Sequence, residues 1–162
     1  MIRSLAVVFL LLASPMLAAA GLKPFTTDGC TDFPDGVQGH EDLWLDCCIA
    51  HDYAYWKGGS YEERIRADRA LRQCVARVGH PVIAQIMLAG VRVGGSPFWP
   101  TDFRWGYGWP YGRGYRPLTP EERAQVERLT PPSVKRLIQR LQVQEKASGG
   151  KREPENSVEA RP

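Results

Sequence analysis

The chain has 162 residues, 43% hydrophobic and 24% charged, with a formal net charge of +3. That length bounds one domain with short appendages and a modest core. So small an excess of positive charge argues against nucleic-acid binding, which shows a denser basic surface, and fits weak attraction to anionic surfaces or plain solubility.

The first twenty residues, MIRSLAVVFLLLASPMLAAA, read as a secretory signal peptide: one arginine, a short apolar run, then small residues ending at Ala18-Ala19-Ala20. The run is too short, and broken too soon at Ser14-Pro15, to span a membrane comfortably. Cleavage is expected near Ala20, with the mature chain secreted or periplasmic. In that oxidising setting the four cysteines, Cys30, Cys47, Cys48 and Cys74, predict two disulfides. Three pairings are possible, and the adjacent Cys47 and Cys48 are not expected to join each other. A zinc site of Cys30, Cys47, Cys48 and His51 is disfavoured, because zinc prefers separated cysteine knuckles.

Residues 22–40 are rich in Gly, Asp, Thr and Pro and read as loop. Apolar spacing predicts a helix over 42–56, broken by Lys57-Gly58-Gly59-Ser60. Ser60 and Glu63 form a capping-box pattern for a second helix from Tyr61 to about Val78, stopped by Gly79. Pro81 opens a third, apolar on most faces and therefore buried or lipid-facing. Residues 94–117 crowd three tryptophans and three tyrosines among glycines and prolines, and predict an irregular but ordered segment. Trp99, Trp105 and Trp109 suit core packing or a membrane interface equally. Thr119-Pro120-Glu121-Glu122 starts a short helix; Val134, Leu137, Ile138 and Leu141 mark an amphipathic one. The organisation expected is signal peptide 1–20, main domain 21–117, helical extension 118–146, and a disordered tail 147–162.

The stretch DCCIAHDYAY, residues 46–55, concentrates the chemistry. In an antiparallel hairpin of the first two helices, His51 and Asp68 lie at similar heights from the turn. The heights of Cys47 and Cys74 are also compatible with a bridge, which leaves Cys48 to reach Cys30. An imidazole facing a buried carboxylate is a base with its tautomer fixed, although spacing alone leaves a purely structural hydrogen bond open. Asp52 projects toward Asp28, Asp32 and Asp35, a hard-oxygen set suited to calcium, although acidic turns of this composition are more often metal-free. His40 and His80 read as exposed bystanders; Arg64, Arg66, Arg69 and Arg72 read as a solvated face.

CCIAHDYAY followed by ADRALRQC resembles the secreted phospholipase A2 family, and the loop TTDGCTDFPDG resembles that family's calcium loop, especially in bacterial members. The match covers residues 25–75, roughly a third of the chain. It implies a mainly α fold: a disulfide-clamped antiparallel helix pair with an N-terminal calcium loop. It implies His51 as general base, Asp68 as its orienting partner and Tyr55 as hydrogen-bond support for Asp68. Asp52 becomes a Ca2+ ligand, and the disulfides become Cys30–Cys48 and Cys47–Cys74. Remaining ligands would be carbonyls of Gly29, Thr31 and Phe33, or, as in the bacterial branch, the Asp28 carboxylate and the Gly29 carbonyl. Thr31 and Phe33 stand where animal members have glycines, which favours Asp28 and Gly29. The implied activity is calcium-dependent hydrolysis of a phospholipid acyl ester at a membrane surface, with activated water, no covalent intermediate, and a loop N–H such as that of Thr31 at the oxyanion. The alternative is a non-enzymatic cell-envelope module that binds lipid or a partner on the same scaffold.

Overall fold

The computed structural model describes residues 21–148; the expected signal peptide 1–20 and all but the first two residues of the expected tail lie outside them. Five helices follow in order: α1 (Leu45–Lys57), α2 (Tyr61–Arg77), α3 (Pro81–Gly94), α4 (Pro120–Leu129) and α5 (Pro132–Ala147). Among the described residues the only β pairing is an isolated bridge between Val37 and His40. The fold is therefore mainly helical.

The local signals act as their chemistry requires. Ser60 Oγ accepts the Glu63 N–H at 3.3 Å while the Glu63 carboxylate accepts the Ser60 N–H at 2.7 Å, so two donors of the first turn of α2 are satisfied reciprocally. Thr119 and Glu122 repeat the device at α4, at 3.2 and 2.8 Å. Helix α1 begins at Leu45, three residues later than its apolar spacing suggests, and no side chain caps it. Helix α3 runs three residues past Val91.

Helices α1 and α2 form the hairpin. Cys47–Cys74 joins their far ends, with Cα atoms 5.7 Å apart, and Cys30–Cys48 ties the N-terminal loop to α1 across 5.0 Å. Each closed loop contributes on the order of 2–4 kcal/mol. Helix α3 packs along α2, and α5 lies on α1. One buried cluster gathers Trp44, both disulfides, Leu71, Val75, Ala84 and Met87; a second gathers Leu22, Trp56, Trp109 and Val126, so α4 shares a core with the N-terminal segment.

Residues 95–119 hold no regular element, yet they close the molecule. The last carbonyls of α1 lack intrahelical donors, and this segment supplies them: Gly106 N–H donates to Tyr55 O at 2.7 Å, Gly108 N–H to Trp56 O at 3.2 Å, and Trp109 Nε1–H to Lys57 O at 2.8 Å. Trp105 Nε1–H reaches Gly59 O at 2.9 Å. The approach needs glycine, since a Cβ on Gly58 would sit 2.9 Å from Gly106 Cα. Trp105 and Trp109 are thus core residues, only 2% and 4% exposed. The interface expectation does not hold for these two rings: their indole N–H groups are spent on buried carbonyls. Trp99 and Phe98, by contrast, are exposed.

Candidate active site

The hairpin brings His51 and Asp68 together, with His51 Nε2 3.1 Å from Asp68 Oδ1. A carboxylate can only accept, so Nε2 carries the hydrogen and Nδ1 is left as the basic nitrogen of the neutral ring. Tyr55, one helical turn beyond His51, donates its O–H to the same Asp68 oxygen at 2.8 Å and lays its ring against the imidazole at 4.2 Å. Burial pushes the Tyr55 phenol well above its usual range, helped by the Asp68 charge. Gly95 makes room for that phenol, because a Cβ there would meet Tyr55 Oη at 2.4 Å.

Asp68 has no exposed surface. Burial alone would raise its pKa, but hydrogen bonds from His51 and Tyr55 and the charge of Arg64 more than offset this and hold it below the usual carboxylate value. Arg64 is not part of a solvated face. It is 4% exposed, and its guanidinium donates to Tyr55 Oη at 3.1 Å, to Tyr115 Oη at 2.6 Å, and to the Val91 and Arg92 carbonyls at 2.8 and 2.9 Å. Arg64 stands one turn before Asp68, so the inward stripe that buries the carboxylate buries the arginine too; that spacing was the available signal. Arg66 and Arg69 are exposed, as read. His40 is exposed as well, whereas His80 is half-buried with its ring edge-on to Trp44 at 5.1 Å.

His51 and Tyr55 border a cavity of about 360 Å³, walled on one side by the loop Gly29–Phe33 and on the other by Met87, Val91 and neighbouring residues of α3. Ile86 and Phe103 line it and are also exposed, which places them at its mouth. Most of the lining is apolar, and Asp52 is the acidic group that joins His51 there from α1.

The acidic carboxylates at this loop are taken up by hydroxyls and a backbone N–H of the loop itself. Asp52 Oδ2 accepts the Thr27 hydroxyl at 2.5 Å, Asp28 Oδ1 accepts the Thr31 hydroxyl at 2.7 Å, and Asp35 Oδ1 accepts the Cys30 N–H at 2.8 Å. Burial pushes Asp52 up to about 7 against the opposing Thr27 bond, and the charges of Asp28 and Asp35 add to the rise. Burial, and after it the charges of Asp52 and Asp28, push the Tyr107 phenol upward. Thr31 and Asp32 adopt positive φ, 24° and 55°, beside Gly29 at 82°. For the β-branched Thr31 this is a strained state, costing about 1–3 kcal/mol. The loop thus takes up left-handed geometry without the glycines that would adopt it freely.

Among the described residues no three His, Cys, Asp or Glu side chains converge into a metal-binding group. A cation at this loop would therefore depend on backbone carbonyls such as that of Gly29 beside Asp28 and Asp52. The donor chemistry fits a hard cation: every candidate ligand is oxygen, and Asp52 is a half-buried carboxylate among like charges. No family model, curated protein or solved structure matches the chain.

Proposed function

We propose that the protein is a secreted, calcium-dependent hydrolase of phospholipid acyl esters, resembling secreted phospholipase A2. One observation carries this reading: His51, held by the buried Asp68 through Nε2 and with Nδ1 outside that bond, borders an apolar cavity walled in part by a strained acidic loop. The apolar lining suits acyl chains. His51 Nδ1 takes a proton from a water that attacks the ester carbonyl, while Asp68 holds the Nε2–H and favours the imidazolium that forms. Tyr55 fixes the carboxylate, and the Thr31 N–H on the cavity wall is our candidate donor to the developing oxyanion. Asp52 and Asp28, with the Gly29 and Thr31 carbonyls, would hold calcium, which when bound supplies a positive charge for the substrate phosphate and the polarised carbonyl. The described helices include none long and apolar enough to cross a membrane.

The test is release of fatty acid from phospholipid vesicles by wild type, His51→Ala and Asp68→Asn, with calcium and with chelator. His51→Ala should lower the rate by about 10²–10⁴-fold, and Asp68→Asn by less, since an amide keeps a hydrogen-bonding group beside Nε2. Chelation should silence the wild type. A folded wild type that releases no fatty acid under any of these conditions leaves the scaffold as a cell-envelope binding module.

A further inference from the structure

Asp68 carries more charge compensation than an imidazole and a phenol provide: Arg64 stands beside it on α2, and the closer guanidinium, that of Arg92, comes from the helix that walls the cavity. Oδ1 is committed to His51 and Tyr55. Oδ2 lies 2.7 Å from Arg92 Nε and 3.9 Å from Arg64 Nε. Asp68 Oδ2 and Arg92 Nε are both buried, and neither makes a hydrogen bond within ordinary angular limits. The two orphaned atoms therefore face one another as an ion pair in van der Waals contact.

The two arginines are not equivalent. Arg64 spends its donors on Tyr55, Tyr115 and the last carbonyls of α3, so it is a tie between elements. Arg92 is 34% exposed and approaches the carboxylate from the last turn of α3. An isolated buried carboxylate costs several kcal/mol unless it is paired, and the neutral His51 offers a hydrogen bond but no charge. Pairing Oδ2 with Arg92 also fixes how the carboxylate is rotated, which decides that Oδ1 meets Nε2.

We infer that Arg92 is a positioning residue for the His51–Asp68 pair: it supplies the counter-ion that keeps Asp68 charged and turned so that the imidazole is protonated at Nε2. The base is then coupled to the seating of α3, the helix that lines the acyl cavity. This rests on the hydrolase reading for its catalytic consequence, though not for its geometry.

The experiment uses the full-length protein. Ring ¹⁵N shifts of His51 should report protonation at Nε2 in the wild type, a mixture of tautomers in Arg92→Gln, and the Nε2 form again in Arg92→Lys. On a soluble short-chain ester, Arg92→Gln should lower kcat by on the order of 10- to 100-fold with KM little changed, and Arg92→Lys should recover part of it. An Arg92→Gln protein with the wild-type tautomer overturns the inference, as does a rate loss confined to KM. If Arg92→Gln does not fold, combining it with Asp68→Asn should restore folding, because the carboxylate that Arg92 compensates is then neutral while Arg64 keeps its bonds to Tyr55, Tyr115 and the α3 carbonyls; failure to restore it is equally fatal. A wild type without esterase activity defeats the hydrolase reading alone, and the ring shifts still decide the role of Arg92.

Discussion

His51 and Asp52 are neighbours in sequence and differ in what their surroundings ask of them. His51 faces a carboxylate that has other partners and gains a fixed tautomer. Asp52 accepts one hydroxyl and feels the charges of Asp28 and Asp35, so burial first, and repulsion with it, push its pKa up to about 7. Exchanging Asp52 for Asn removes charge while keeping shape and the Thr27 contact. Calorimetry should then show calcium affinity lowered by more than about tenfold, with activity partly recovered at high calcium. Wild type that binds no calcium, with activity that resists chelation, would take the cation out of the mechanism. At this scale the sequence spoke clearly where a residue's partner lies at a helical step, as with His51 to Tyr55. It was silent on Arg92, whose partner Asp68 sits on another helix and whose meaning depends on how α3 crosses α2. Arg64 was misjudged as solvated because composition weighs a guanidinium as surface, whereas its four-residue step to Asp68 turns it inward.

Elements were most legible where a capping box marks their start. Capping boxes are local, so Ser60 with Glu63 and Thr119 with Glu122 mark α2 and α4 without reference to the rest of the chain. The Cys47–Cys74 bridge is compatible with helical height, and both disulfides are those that the resemblance implies. The segment between α3 and α4 was legible only as irregular, because its hydrogen bonds go to carbonyls of α1 far away in sequence. What anchors it to α4 is Arg113, stacked over Trp109 at 4.6 Å and paired with Glu122. The Arg113 hydrogen bond holds Glu122 down at about 2. A depressed carboxylate contributes stability above its unfolded pKa, near 4.5, and loses it as pH falls toward the folded value. Glu122→Gln retains the capping geometry but not the charge. Thermal unfolding should therefore find the variant less stable than wild type at pH 7, with the gap closing between about pH 4.5 and 2. A gap independent of pH would mean that the Arg113–Glu122 pair contributes nothing as an ion pair.

At the scale of the whole molecule, the aromatic residues divide by what lies beneath them. Trp105 and Trp109 close the end of α1, while Phe98 and Trp99 stand 64% and 56% exposed in the turn that follows α3. Phe103, at the cavity mouth, belongs to that same stretch, and the exposed Val82, Ile86 and Val93 lie along α3, the cavity-wall helix. These exposed apolar groups thus belong to the two elements that frame the opening, where a hydrolase drawing substrate from a lipid surface would have to touch it; Val37, Tyr61, Val78, Leu129 and Val143 are exposed elsewhere. Amphipathic rings settle at headgroup level without deep insertion. Replacing Phe98 and Trp99 together with Ser should weaken binding to anionic phospholipid vesicles and slow hydrolysis of vesicle lipid. Thermal stability should change by no more than about 0.5 kcal/mol per site, as for exposed positions, and hydrolysis of a monomeric short-chain ester should be preserved. Trp105→Ala with Trp109→Ala should behave oppositely, losing roughly 3–5 kcal/mol per ring and failing on both substrates. If the Phe98 and Trp99 variant binds vesicles as wild type does, lipid is met elsewhere, and the apolar rim only encloses the cavity.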